Sequence, residues 1–139
     1  MPKNELATKV VHQLTENDLF SKWLGIEVLE VAPGYSKLKM TVRKEMINGF
    51  GIVHGGVAFS LADSAFSFAC NNRNNLSVAL ETSINFIKPV HVDDVLTAKA
   101  KEIHNGKSTG IYHVSIFNQN NHLVALFKGT CFRTGKNLV

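Results

Sequence analysis

Asn48, the run His54-Gly55-Gly56, and Asp63 bring together within a short stretch the residue types that acyl transfer needs. A Gly-Gly pair at the head of an apolar run leaves the first N–H groups of a helix uncovered by side chains. Such groups attract an anion or a carbonyl oxygen gaining negative charge. Asn48 and His54 are polar side chains placed to orient that carbonyl, and Asp63 is a carboxylate able to attack or to take a proton from water. Between Met46 and Asn72, Asp63 is the only formal charge.

Ser60, Asp63, Ser64 and Ser67 fall at i, i+3, i+4 and i+7, a narrow polar stripe on an otherwise apolar rod. A stripe of this kind can be the wet face of an amphipathic helix. Exposed helix faces usually carry Lys, Glu or Arg, however, and this one has none, which makes Asp63 a candidate functional acid. His54 has two readings from position alone, a capping residue at a helix start or a group that touches substrate.

Helix geometry adds a constraint. Asp63 stands eight residues beyond Gly55, about 12 Å along the axis at 1.5 Å per residue. A carboxylate cannot reach back that far. If the acid and the N–H act on one carbonyl, they come from two copies of the chain whose helices run antiparallel, which predicts a two-fold dimer with composite sites.

Other patterns carry less. Gly106-Lys107-Ser108-Thr109-Gly110 fits the letters of a nucleophile elbow but sits between two strand patterns, so it reads as a hairpin turn. The histidines His12, His54, His91, His104, His113 and His122 show no i, i+4 pair and no cysteine pair of ligand spacing. Neither a metal nor another cofactor is expected. Cys70 and Cys131 are expected as reduced thiols.

The stretch needs elements to hold it. Residues 4–15 and a second short turn holding Leu19, Phe20, Trp23 and Leu24 read as a helical cover. Residues 26–31 and 35–42 alternate with period two around Ala32-Pro33-Gly34, a β-hairpin. After the loop 46–53 comes the apolar helix from Gly55 to Cys70, closed by the polar run 71–75. Strand patterns follow over 77–87, 95–103, 109–118 and 123–132, the last three an antiparallel meander. Only the helix is apolar enough all round to fill one face of such a sheet, so an α+β fold is expected, a curved antiparallel sheet wrapped around a central apolar helix.

At 139 residues the chain is read as a single domain, 1–139, with an N-terminal helical segment over 1–24 and a core over 25–135. The net charge of +4 is spread along the chain, which suits an anionic small ligand and gives no sign of a nucleic-acid partner. The N-terminus has no basic-then-apolar leader pattern and the apolar run is too short to span a bilayer. A cytoplasmic protein without a membrane partner is expected.

Asn48-x5-His54-Gly55-Gly56-x6-Asp63, followed by Phe86-Ile87-Lys88-Pro89 and the Gly106-Lys107 turn, resembles the hotdog-fold acyl-CoA thioesterases, most closely the phenylacetate-degradation (PaaI-like) branch. The words Leu61-Ala62-Asp63, Ala69-Cys70-Asn71 and Val124-Ala125-Leu126-Phe127-Lys128-Gly129 look like that branch in particular. The resemblance runs from about Gly25 to Arg133. It implies a hotdog fold, acyl-CoA as partner and a homo-oligomer that is a dimer of dimers. It implies the Gly55 N–H as oxyanion donor, Asn48 and His54 as groups placing the thioester, and Asp63 of the facing subunit as nucleophile or general base. Ser67 stands where some relatives hold the water, whereas Ala79 stands where others use a serine. Lys88 and Lys107 stand where relatives meet the CoA phosphates, and Gly56, Phe59 and Phe66 are expected around the substrate, the two phenylalanines lining its acyl pocket.

The expected activity is hydrolysis of acyl-CoA thioesters, aryl-acetyl such as phenylacetyl-CoA or medium to long acyl, to free acid and CoA. The rival from another class is a non-catalytic acyl-CoA-binding regulator or sensor on the same fold. Residues 1–24 have neither the length nor the basic character of a DNA-binding element. A hotdog dehydratase or hydratase would place a histidine to take a proton from the acyl chain, in a different sequence context.

Overall fold

The computed structural model describes residues 2–139. Two helices open the chain, α1 (Lys3–Asn17) and α2 (Leu19–Leu24), followed by the hairpin β1 (Glu27–Ala32) and β2 (Tyr35–Thr41), a 3₁₀ turn (Lys44–Met46) and α3 (Gly55–Asn71). The strands β3 (Ser77–Phe86), β4 (Val95–Asn105), β5 (Thr109–Phe117) and β6 (Leu123–Arg133) complete it. They form one six-stranded antiparallel sheet in the order β1-β2-β4-β5-β6-β3. This is the expected hotdog arrangement, with α3 lying across β2, β4, β5, β6 and β3.

Period-two alternation decides which face α3 meets. Leu38, Met40, Leu96, Ala98, Ala100 and Val114 point inward and are buried, while Lys37, Lys39, Lys99, Lys101 and Lys128 alternate with buried neighbours on the other face. Small residues let the helix come close. A Cβ on Gly129 would meet the Phe66 ring at 2.7 Å, so the aromatic ring rests on bare backbone there. Ser36 pins the middle of the helix to the sheet, its Oγ donating to the Ala65 carbonyl at 2.7 Å.

The C-terminal end of α3 is anchored by buried polar groups. Asn72 takes the Gly34 N–H on Oδ1 and donates from Nδ2 to the carbonyls of Ala32 and Tyr35, tying the helix to the β1–β2 turn. The Arg133 guanidinium, only 6% exposed, donates to the Cys70 carbonyl (2.9 Å), the Tyr112 hydroxyl (2.7 Å) and Asn105 Oδ1 (2.7 Å). A cation at this end complements the helix dipole and satisfies a carbonyl that the helix leaves free. Cys70 and Cys131 are buried free thiols.

The two sheet edges differ. α1 packs on β1, whereas β3 is bonded to β6 alone and leaves Val78, Leu80 and Phe86 more than half exposed. No helix among the described residues is long and apolar enough to cross a membrane.

Candidate active site

The loop before α3 is shaped by Asn48. Its backbone N–H donates to the Ile52 carbonyl (2.7 Å), and its Oδ1 accepts from the N–H groups of Phe50 (2.9 Å) and Ile52 (3.3 Å). This local closure is what an asparagine side chain does well in a turn. The Asn48 Nδ2 hydrogens have no protein partner among the described residues.

His54 is the N-cap of α3, its Nδ1 accepting from the Gly56 N–H at 2.8 Å. With Nδ1 used as an acceptor, the neutral ring carries its proton on Nε2, a donor left for other partners. The Gly55 N–H, by contrast, has no acceptor among the described residues. One of the two glycine N–H groups is therefore capped and the other is open at the positive end of the helix.

Asn48, His54, Gly55, Phe86 and Lys88 line one cavity of about 410 Å³. Phe86 lies against the glycine, since a Cβ on Gly55 would come to 3.2 Å from its Cζ. Two uncommitted N–H donor groups, Gly55 N–H and Asn48 Nδ2, thus belong to a single space with a cation at its border. Such a space can accept a carbonyl oxygen and an anionic arm.

Asp63 does not line that cavity. It is half-buried on α3, two turns beyond Gly55, with Ser64 beside it bonded to Ser21 of α2 (Oγ to Oγ, 2.8 Å). Burial first, and the nearby Asp18 carboxylate second, push its pKa above the ordinary 3.8. Ser67 borders a groove between α1 and α3 with Gln13 and Asp18. Lys107 lies in the β4–β5 turn, and the Gly106 carbonyl beside it accepts from Arg133 at the end of β6. Lys88 instead adjoins Val124 at the start of β6, so the two lysines lie at opposite ends of the sheet.

Phe66 is 1% exposed and packed between Tyr112 (centroids 5.8 Å apart) and Phe127 (5.9 Å), in the core, and it is not among the residues lining the cavity around Gly55. Phe59 is half-buried, edge-on to Phe127 at 5.6 Å, and is absent from the cavity around Gly55. Aromatic residues read from the sequence as cover take the open position instead: Phe20 and Trp23 of α2 are each 57% exposed above a second cavity on the other side of His54.

The cap gives a direct prediction. His54→Ala removes the acceptor of the Gly56 N–H, and urea unfolding will show a loss of about 1 kcal/mol, the usual worth of a side-chain N-cap. His54→Asn will restore most of it.

The family model described as "Thioesterase superfamily" matches residues 50–125. The chain is 44% identical over 124 residues to "Acyl-coenzyme A thioesterase PaaI" of Escherichia coli, covering 89% of each chain. The solved structure of the E. coli PaaI protein from the phenylacetic acid degradation operon superposes with a TM-score of 0.95 at 40% identity, covering 98% of this chain and 99% of that one. A hypothetical thioesterase from Streptococcus pneumoniae, solved with coenzyme A, superposes with a TM-score of 0.77 at 31% identity over 81% of this chain and 88% of that one.

Proposed function

The chain belongs to the thioesterase superfamily and is a thioester hydrolase, and from that premise we propose that it cleaves acyl-CoA thioesters to free acid and CoA at a site shared by two copies of the chain. The observation that carries this reading is the open Gly55 N–H, the one glycine N–H of the pair that His54 does not cap, sharing a cavity with Asn48 and Lys88. The relatives supply the substrate class, since one is called an acyl-coenzyme A thioesterase and another was solved with coenzyme A.

In the proposed reaction the thioester oxygen accepts from Gly55 N–H, with the free Asn48 amide beside it, and these donors stabilise the oxyanion as the carbonyl carbon becomes tetrahedral. As nucleophile, Asp63 of the second copy forms an acyl–Asp63 anhydride that water then hydrolyses; as general base, it takes a proton from the attacking water and passes it to the departing thiolate. The C–S bond breaks, and the CoA thiolate leaves along Lys88, with Lys107 of one copy or the other available to the phosphates. Ser67, one turn beyond the acid, is assigned to hold the attacking water. The product is the carboxylic acid.

The dimer has structural support. The β3 edge is bonded to β6 alone and exposes Val78, Leu80 and Phe86, and pairing two β3 edges satisfies both backbone and side chains. In a dimer of dimers, the second contact is expected on the helical side. The outer sheet face places Lys37 opposite Lys99, and His113 between Lys101 and Lys128, so two such faces repel. The setting is expected to be cytoplasmic.

Steady-state hydrolysis of a series of acyl-CoA thioesters, followed by release of the CoA thiol, tests the reading. Asp63 must be ionised to act, so kcat/KM will fall on the acid side with an apparent pKa above 3.8. A pH-independent rate through that range contradicts the role. A raised folded pKa also means that the native state binds the proton more tightly than the unfolded chain, so Asp63 costs stability once pH rises through its folded pKa. Asp63→Asn will therefore have the higher Tm at pH 7, and the difference will shrink as pH falls toward 3.8.

A further inference from the structure

A second cavity, of about 300 Å³, opens between α2 and α3 on the other side of the α3 N-terminus. Phe20 and Trp23 of α2, Glu45 and Ile47 of the segment before α3, and Val57 and Ser60 of α3 are among the residues that line it. His54 lines both this cavity and the one that holds Gly55, so the two lie on either side of its side chain.

The aromatic wall is built and held. The Phe20 and Trp23 rings stack with centroids 6.3 Å apart and planes 19° apart. Arg43 fixes Trp23 from behind: its guanidinium lies 5.2 Å from the ring centroid, and its Nη atoms donate to the carbonyls of Trp23 (2.7 Å) and Leu24 (3.1 Å). The Arg43 charge is answered by Glu45. Both aromatic rings remain more than half exposed, although folding buries most large apolar groups and the core lies directly beneath. A rigid, preformed apolar wall beside a carbonyl-polarising N–H is the form of a small-molecule subsite.

We propose that this α2–α3 cavity receives the acyl group, and that Phe20 and Trp23 determine its specificity by selecting an aromatic or medium-length aliphatic acyl chain over acetyl. The inference rests on the hydrolase reading above. A thioester with its oxygen at Gly55 N–H leaves the CoA arm free to run past Lys88, while the acyl carbons cross the helix start into the α2 cavity. On this assignment a phenylacetyl or hexanoyl group extends to the rings and acetyl stops short of them.

Trp23 is the only tryptophan in the chain, so intrinsic fluorescence reads this wall alone. A non-hydrolysable thioether analogue of phenylacetyl-CoA will shift Trp23 emission saturably, and CoA alone will not. In Phe20→Ala and Trp23→Leu, the ratio of kcat/KM for phenylacetyl-CoA to that for acetyl-CoA will fall about 10- to 100-fold, the range by which apolar pocket contacts discriminate substrates. An unchanged ratio, or emission that ignores the analogue while phenylacetyl-CoA is turned over, overturns the assignment. Emission that responds only to protein dilution also overturns it, because a second copy then occupies the wall. Wild-type protein that hydrolyses no acyl-CoA defeats the hydrolase reading instead, and the analogue titration still decides the pocket.

Discussion

Asp63→Asn will lower kcat for acyl-CoA hydrolysis by about 10²- to 10⁴-fold, the range that a positioned acid–base group contributes, while binding of a thioether analogue stays within a few-fold. The substitution keeps the shape and removes the charge. Its neighbours already disfavour that charge, through burial first and the Asp18 carboxylate second, so the neutral variant folds at least as well. A half-buried acid whose surroundings disfavour its charge is a candidate functional group. Near-wild-type kcat in the asparagine variant would remove Asp63 from the reaction.

Gly55→Pro will lower kcat by about 10²- to 10³-fold, the loss measured when an oxyanion donor is deleted. Proline is suited to this position for structural reasons. Gly55 is the first residue of α3, where the missing N–H breaks no helical bond and the fixed φ favours the helix. His54 before it is already extended, at φ −62° and ψ 134°, as a residue preceding proline must be. The added ring meets Phe86, whose Cζ a Cβ would approach to 3.2 Å, a contact that a shift of a few tenths of an ångström relieves. Gly55→Ala is the control, adding the Cβ while keeping the N–H. Circular dichroism and Tm near wild type in both variants, with kcat lost in the proline variant far more than in the alanine variant, assign the effect to the donor. Equal losses would assign it to crowding of the cavity.

Much of this was legible in the sequence. Strict alternation in 35–42, 95–103 and 109–118 marks strands because the sheet buries only one face, and the long uncharged run can only be the helix that fills it. The same all-round apolarity hides which way each phenylalanine of α3 points. Phe66 lands on Gly129 in the core, and no periodic polar signal distinguishes it from a pocket residue. The run from Asn71 reads as a solvated helix end, yet Asn71 and Asn72 are buried, because their amides replace backbone partners that the helix terminus lacks. Arg133 is a long-range anchor with no local signature at all. Phe20 and Trp23 read as cover because a short apolar helix looks the same in sequence whether it faces a core or an open cavity.

The two variants together test whether one site draws on two chains. Asp63→Asn and Gly55→Pro proteins, each nearly inactive alone, are mixed in equal amounts, unfolded and refolded so that subunits re-pair at random. Half of the dimers are then mixed, and each mixed dimer holds one site with both defects and one with neither. A composite site predicts recovery of about one quarter of wild-type activity. No recovery beyond the parent variants, with mixed dimers shown to be present, would mean that Gly55 and Asp63 serve the same site from the same chain, and would contradict the shared-site account.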